Sequence, residues 1–381
     1  MREDSKILTE QILEFIKSCE EGRFTNPDEQ EDSYNELALK LFRYQFKHNP
    51  AYKKFCQAKK RTPLTVKQWN HIPPMPIQGY KELTLSCEPI EEVEHVFMTS
   101  GTTNPEAKGK NYHPDLTVWD SSMKGPFKHF VLPDRENITI FVLSPAEDLN
   151  QHSSLSRYLT NAVSFFGTEN SKFFFTDKGL DIEGLITELR RCEKQKEPVL
   201  LIGATFAYVH ILDYLKENQL QFNLAKDSRI FDTGGFKGQS REVEMENLYA
   251  DFHDFFQVER KFCINMYGMT ELSSQIYDQT LRSTYLNTSG IFDKKGPSWV
   301  KTVILNTDTL EPVKDGEKGV IAHYDLANWN SCLAILTEDM GYKTDHGFVL
   351  VGRIKGSEAR GCSIAVDQLM QVNSGGASRN E

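Results

Sequence analysis

The sequence predicts an α/β fold of mainly parallel sheets with flanking helices, a small β-rich subdomain and a shortened C-terminal part. Three observations carry that expectation. Short continuous apolar runs recur through the middle of the chain, as in strands buried on both faces. Several end in glycine- or threonine-rich turns that lead into helical patterns, the signature of a mainly parallel sheet. Beyond residue 290 the runs follow one another through tight turns, as in antiparallel strands.

Leu8, Ile12, Phe15, Ile16 and Cys19 fall at helical spacing, with Gly22 as the stop. A second helix is expected from Ser33, with Glu36 completing a capping box, an apolar face of Leu37, Leu41 and Tyr44, and an end at Asn49-Pro50. Ile72-Pro73-Pro74-Met75-Pro76 reads as a rigid extended connector rather than an element. Strands are expected over 137–143, 163–166 and 172–175. Further strands are expected over 198–202, ending at Gly203-Ala204-Thr205; over 229–231, ending at Asp232-Thr233-Gly234-Gly235; and over 262–266, ending at Tyr267-Gly268-Met269-Thr270-Glu271. Ligands of such sheets bind at the carboxyl ends of the strands, so these three turns are expected at one crevice. Residues 300–305, 319–324 and 348–351 complete the β pattern, with Asp315-Gly316 as a turn, and the tail from Val372 is expected to be disordered.

The chain has 381 residues, 39% hydrophobic and 26% charged, which is the composition of a soluble globular protein. Its net charge of −10 argues against a nucleic-acid partner. There is no run of eighteen apolar residues for a membrane span, and the N-terminus lacks the apolar stretch of a secretory signal. Seven scattered cysteines with no Cys-x-x-Cys pair indicate neither a zinc site nor a disulfide framework, and the expected compartment is the reducing cytoplasm. The oligomeric state stays open.

The stretch Met98 to Lys110 holds four hydroxyl side chains (Thr99, Ser100, Thr102, Thr103), two glycines (Gly101, Gly109) and two lysines (Lys108, Lys110). Small hydroxyls and glycine let backbone N–H groups turn around an anion, and lysine adds the opposing charge. The spacing is not that of the Walker pattern.

Thr99-Ser100-Gly101-Thr102-Thr103 with Lys108-Gly109 resembles the phosphate loop of the adenylate-forming superfamily. Asn265 to Glu271 is similar to that superfamily's Tyr-Gly-x-Thr-Glu motif, and Leu336-Thr337-Glu338-Asp339 with Gly352-Arg353 is similar to its Thr-Gly-Asp and Gly-Arg pair. The resemblance implies that Ser100, Thr102, Thr103 and Lys108 hold phosphates of ATP, Thr270 reaches the α-phosphate, and Glu271 holds Mg²⁺. It further implies that Tyr267 and Gly268, with Gly234-Gly235, accommodate adenine, that Asp339 binds the ribose hydroxyls, and that Arg353 stands beside it at the hinge. Glu338 replaces the motif's glycine. The lysine that relatives supply from a larger C-terminal domain has no matching motif; Lys355 is nearest by position alone. The stretch Gly352 to Cys362 resembles the end of the acyl-protein synthetases of bacterial bioluminescence, as does His152-Ser153-Ser154-Leu155. In that family a cysteine near the C-terminus, here Cys362, takes a fatty acyl group from the adenylate for an acyl reductase partner. The expected organisation is a helical part (1–90), an ATP- and acyl-binding core (91–290), a β-rich subdomain (291–351) and a short segment carrying Cys362 (352–381). An acyl- or aryl-CoA ligase and a non-catalytic nucleotide-binding scaffold are the alternatives.

Overall fold

The structure is a computed structural model that describes residues 1–99, 108–234, 240–288 and 290–354. The chain divides into two compact units. One comprises Met1–Ser122, Met269–Ser274 and the chain from Gly296; the other comprises Met123–Gly268 and Gln275–Lys295.

In the second unit, five parallel strands stand in the order Lys172–Phe173, Thr139–Val142, Val199–Ala204, Arg229–Thr233 and Cys263–Tyr267. Ile276–Asp278 and Lys294–Lys295 extend the sheet antiparallel. Thr139–Val142, Val199–Ala204 and Arg229–Thr233 are buried at every position, which is why they read as continuous apolar runs. The helix Thr205–Glu217 follows Val199–Ala204 directly, and Met245–Phe256 connects the next two strands. One expectation fails here. Val163–Phe166 is the last turn of the helix Ser154–Phe166, which opens where the Ser153 side chain accepts from Ser156 N. Its buried Tyr158, Leu159, Ala162 and Phe166 keep helical spacing, which a four-residue apolar window cannot distinguish from a strand. After Cys263–Tyr267 the chain returns antiparallel as Ile276–Asp278.

The first unit begins with helices Glu3–Glu20, Pro27–His48 and Pro50–Ala58. The second opens six residues before Ser33, because Asn26 accepts from Glu29 N at 2.8 Å and Pro27 fits the first helical turn. Asn49 ends that helix and caps the next, accepting from Tyr52 N at 3.1 Å. Met75–Pro76, expected to be free of regular structure, pairs in parallel with Ile335–Leu336. Val300–Leu305, Gly319–Asp325, Ala334–Thr344 and Gly347–Arg353 form an antiparallel meander. Buried Gln45 ties the second helix to it, donating to Asn328 O and Trp329 O and accepting from Leu333 N. No described helix is long and apolar enough to cross a membrane.

At the start of its strand, the fully buried Arg229 donates to Val131 O at 2.7 Å and to both carboxylate oxygens of Asp134 at 2.9 and 3.0 Å. Burial pushes the Asp134 carboxyl up, but the hydrogen bonds and charge of Arg229, with those of Arg135, outweigh it and hold the group well below the usual range. That stabilisation is present above the unfolded carboxyl value of about 4 and is lost as pH falls through the lower folded value. Arg229→Ala removes these bonds and leaves Asp134 to Arg135 and Tyr285, and the expected loss at neutral pH is about 1.5–3 kcal/mol. Urea denaturation followed by fluorescence measures it; a loss below about 1 kcal/mol would show that the pair does not anchor the strand.

Candidate active site

In the first unit, strands His95–Met98 and Lys110–His113 pair with Met98 opposite Lys110 and form the base of the hydroxyl-rich loop. The base is closed by two bonds of 2.9 Å, Thr99 N to Gly109 O and Gly109 N to Thr99 Oγ1. Ser100, Gly101, Thr102 and Thr103 lie outside the described residues, as do Gly235, Lys355 and Cys362. A Cβ on Gly109 would sit 3.1 Å from Thr99 Cγ2, 3.4 Å from Glu271 Oε1 and 3.6 Å from Lys81 Cγ. Glycine here lets the Glu271 carboxylate pack against the loop's base.

The segment carrying Thr270 and Glu271 is held by its backbone. Asn111 Nδ2 donates to Thr270 O at 3.0 Å, and Asn328 Nδ2 donates to Glu271 O at 2.8 Å. Ser273 Oγ donates to Asn328 Oδ1. Ser274 donates to the buried Asp325 through both N and Oγ at 2.8 Å. The Asp325 carboxyl is pushed up to about 6 by burial, against the pull of these bonds and of Ala327 N.

Glu271 is 5% exposed, and burial raises its carboxyl to about 7. A bond to its own backbone and the charges of Lys81 and Arg353 pull it down, while Glu338 pushes it up. Such a carboxylate suits a hard divalent cation, whose charge would replace the lost hydration. No group of three His, Cys, Asp or Glu that could hold a metal occurs among the described residues. An ion at Glu271 would therefore complete its shell from phosphate oxygens and water, as Mg²⁺ commonly does.

Asp339 and Arg353 face each other across the antiparallel strands, with Arg353 Nε 3.4 Å from Asp339 Oδ1. Asp339 is mostly buried and Arg353 is exposed at its edge. Glu338 lies at an irregularity in the pairing of its strand with Gly319–Asp325, its backbone oxygen accepting from Ile354 N at 2.9 Å and its side chain from Gln78, and it does not take the left-handed conformation that favours glycine. The glycine geometry falls instead at Gly352, with φ of 144°.

In the second unit the expected strand ends lie side by side, with Ala204 opposite Thr233 and Thr233 opposite Met266. Thr205 Oγ1 donates to Thr233 O at 3.1 Å, and Thr233 Oγ1 donates to Met266 O at 3.0 Å. Gly234 takes φ of 74°, the left-handed turn that favours glycine. Below them Asn265 donates to the buried Asp232 at 2.7 Å, and Lys294 donates to Asn265 O at 2.6 Å. Tyr267 ends its strand half-buried, and the chain enters the other unit after Gly268.

Lys108 is half-buried at the loop's end, and His152 is exposed beside the Ser153 cap. The six described cysteines all have raised thiols. Burial pushes Cys19 and Cys192 up to about 11, and Cys56, Cys87, Cys263 and Cys332 higher still. Lys81, Asn111, Asp325 and Asn328 are the residues that sequence reading missed. Lys81 lies in the short helix Gly79–Glu82, Asn111 and Asp325 in strands and Asn328 in the turn that follows, and each acts on a residue distant in sequence.

The acyl-protein synthetase, LuxE, family matches residues 5–371. A long-chain-fatty-acid–luciferin-component ligase of Aliivibrio fischeri is 23% identical over 373 residues, covering 95% of this chain and 94% of the relative. The ligase of the same name from Vibrio harveyi is 21% identical over 359 residues, covering 92% and 91%. Among solved structures, an open conformation of 2-hydroxyisobutyryl-CoA ligase with 2-HIB-AMP and CoA superposes with a TM-score of 0.63 at 13% identity. It covers 86% of this chain and 71% of that one. The same ligase in its postadenylation state also gives 0.63, over 87% and 69%. With the expected fold present and nearly the whole chain matched, the chain belongs to the acyl-protein synthetase, LuxE, family and is a ligase on the fold of the adenylate-forming enzymes.

Proposed function

We propose that this protein uses ATP and Mg²⁺ to convert a long-chain fatty acid to acyl-AMP and pyrophosphate, then carries the acyl group on Cys362 to an acyl reductase partner in the cytoplasm. The observation that carries the reading is the buried Glu271 carboxylate packed at the base of the hydroxyl-rich loop. The two relatives' names support the choice of acid.

A carboxylate oxygen of the acid attacks the α-phosphorus, and the bond to pyrophosphate breaks with its electron pair leaving on oxygen. Two anions meet in that step, so the phosphates must be held and their charge offset. Thr99, Ser100, Gly101, Thr102, Thr103 and Lys108 serve the phosphates, Thr270 the α-phosphate, and Glu271 the cation. Gly234, Gly235, Tyr267 and Gly268 accommodate adenine. Asp339 accepts from the ribose hydroxyls, oriented by Arg353. The Cys362 sulfur then attacks the acyl carbon, AMP leaves, and the thiol proton is released. Support for Cys362 comes from the other six thiols, each held protonated by burial.

Glu271→Gln is expected to cut ATP–pyrophosphate exchange by about a hundredfold without unfolding the protein. With the wild-type carboxyl raised to about 7, protons and Mg²⁺ compete for it. Exchange at limiting Mg²⁺ should fall as pH drops below about 7, and more Mg²⁺ should move the midpoint to lower pH. A midpoint insensitive to Mg²⁺ would remove Glu271 from metal binding.

Cys362→Ser should still exchange pyrophosphate, because forming a mixed anhydride needs no protein nucleophile. Intact-mass spectrometry of wild type with ATP, Mg²⁺ and a fatty-acid series should show one added acyl mass, labile to neutral hydroxylamine and absent from Cys362→Ser. A label on another cysteine would overturn the acceptor, and acyl-CoA formation without protein label would overturn the acyl-protein step.

A further inference from the structure

Expelling pyrophosphate builds charge on the leaving oxygens, and a cation beside them lowers the barrier. Two cations act on Glu271 from the described residues, Lys81 and Arg353. Arg353 is committed to Asp339. Lys81 is exposed, and among the described residues no hydrogen bond or ion pair engages its ammonium.

Its place is nonetheless fixed. Lys81 lies in the one-turn helix Gly79–Glu82, and its stem runs beside Gly109, where a Cβ would sit 3.6 Å from Lys81 Cγ and 3.4 Å from Glu271 Oε1. The turn is fastened to the strand that carries Glu338 and Asp339. Met75–Pro76 pairs with Ile335–Leu336, Ile77 N donates to Leu336 O at 3.0 Å, and Gln78 donates to Glu338. The neighbouring Tyr80 is buried, with its hydroxyl 3.3 Å from Ser331 Oγ. A lysine held at its base with an uncommitted ammonium, beside a buried carboxylate and the base of a hydroxyl-rich loop, is placed for a polyanion.

We propose that Lys81 is a catalytic residue whose side-chain nitrogen binds phosphate oxygens of ATP beside Glu271 and offsets the charge of the departing pyrophosphate. This assignment rests on the ATP-dependent reading above.

Calorimetric titration of the full chain with ATP, pyrophosphate and AMP, without fatty acid, tests it. Lys81→Gln should weaken ATP and pyrophosphate by about 10- to 100-fold, the effect of losing a charge-assisted contact. AMP, which lacks the leaving phosphates, should bind Lys81→Gln as it binds wild type, and Lys81→Arg should recover most of the loss. A role in folding alone would weaken all three ligands together and lower the melting temperature; that result, or unchanged ATP binding by Lys81→Gln, overturns the proposal. Wild type that binds no ATP overturns the ATP-dependent reading and this inference with it. ATP binding intact in Lys81→Gln, with exchange lost only in Glu271→Gln, overturns Lys81 alone.

Discussion

A carboxylate kept out of water must be held there by something stronger than itself. Moving the Glu271 carboxyl from its usual value of 4.5 to about 7 corresponds to about 3 kcal/mol against the ionised form. One hydrogen bond nets only about 1 kcal/mol, so no single contact fixes the loop. Asn111 and Asn328 grip successive carbonyls, Ser273 orients Asn328, and Ser274 binds the buried Asp325 twice. Asp325 is itself a carboxyl raised by burial, so the unit invests one buried acid in placing another. That arrangement adds little to stability and much to position, as expected where a charge is to be met by a ligand.

Backbone tolerances follow from the same constraint. Gly109 leaves the space that the Glu271 carboxylate borders, and a methyl group there would press on Thr99 at 3.1 Å. At Glu338 the strand pairing is irregular but the backbone is not left-handed, and the side chain takes the Gln78 amide. The motif's glycine is therefore dispensable at this position, while Asp339 stays in register with Arg353. The motif from Tyr267 to Glu271 carries the chain from one unit into the other, so its two halves answer to different neighbours. Tyr267 ends a parallel strand, and Glu271 is held by side chains of the meander unit.

How much of this was legible depended on whether the signal was local. Runs such as Val199 to Ile202 are buried on both faces, and Pro198 before this one and Gly203 after it favour a strand over a helix segment of the same length. Thr233-Gly234 was legible because φ of 74° is a backbone demand that glycine meets best. Val163 to Phe166 misled because its helix begins ten residues earlier, at a serine cap with no glutamate behind it. Asn26-Pro27 lost to Ser33 because the sequence offers two cap signals, and the one that forms has Asn26 accepting from Glu29 N with proline in the first turn. Asn111, Asn328 and Lys81 left no trace in the sequence. An asparagine that grips a distant carbonyl looks the same there as one in an exposed turn.

Thiol chemistry shows what burial contributes beyond the fold. An acyl-adenylate reacts with whatever thiolate it meets, so on the proposed function a chain with seven cysteines would risk misplacing the acyl group. At pH 7 a thiol raised to about 11 is ionised in only about one molecule in ten thousand. Cys56, Cys87, Cys263 and Cys332 lie further still from ionisation, and all four are buried. Six positions are thus silenced by the same desolvation that raises Glu271. Burial outweighs the neighbouring cations at these thiols, Arg191 beside Cys192, Arg2 near Cys87 and Arg260 near Cys263 among them. On the proposed function, Lys355 and Arg360, near Cys362 in sequence, are the basic residues that would favour its thiolate as acceptor.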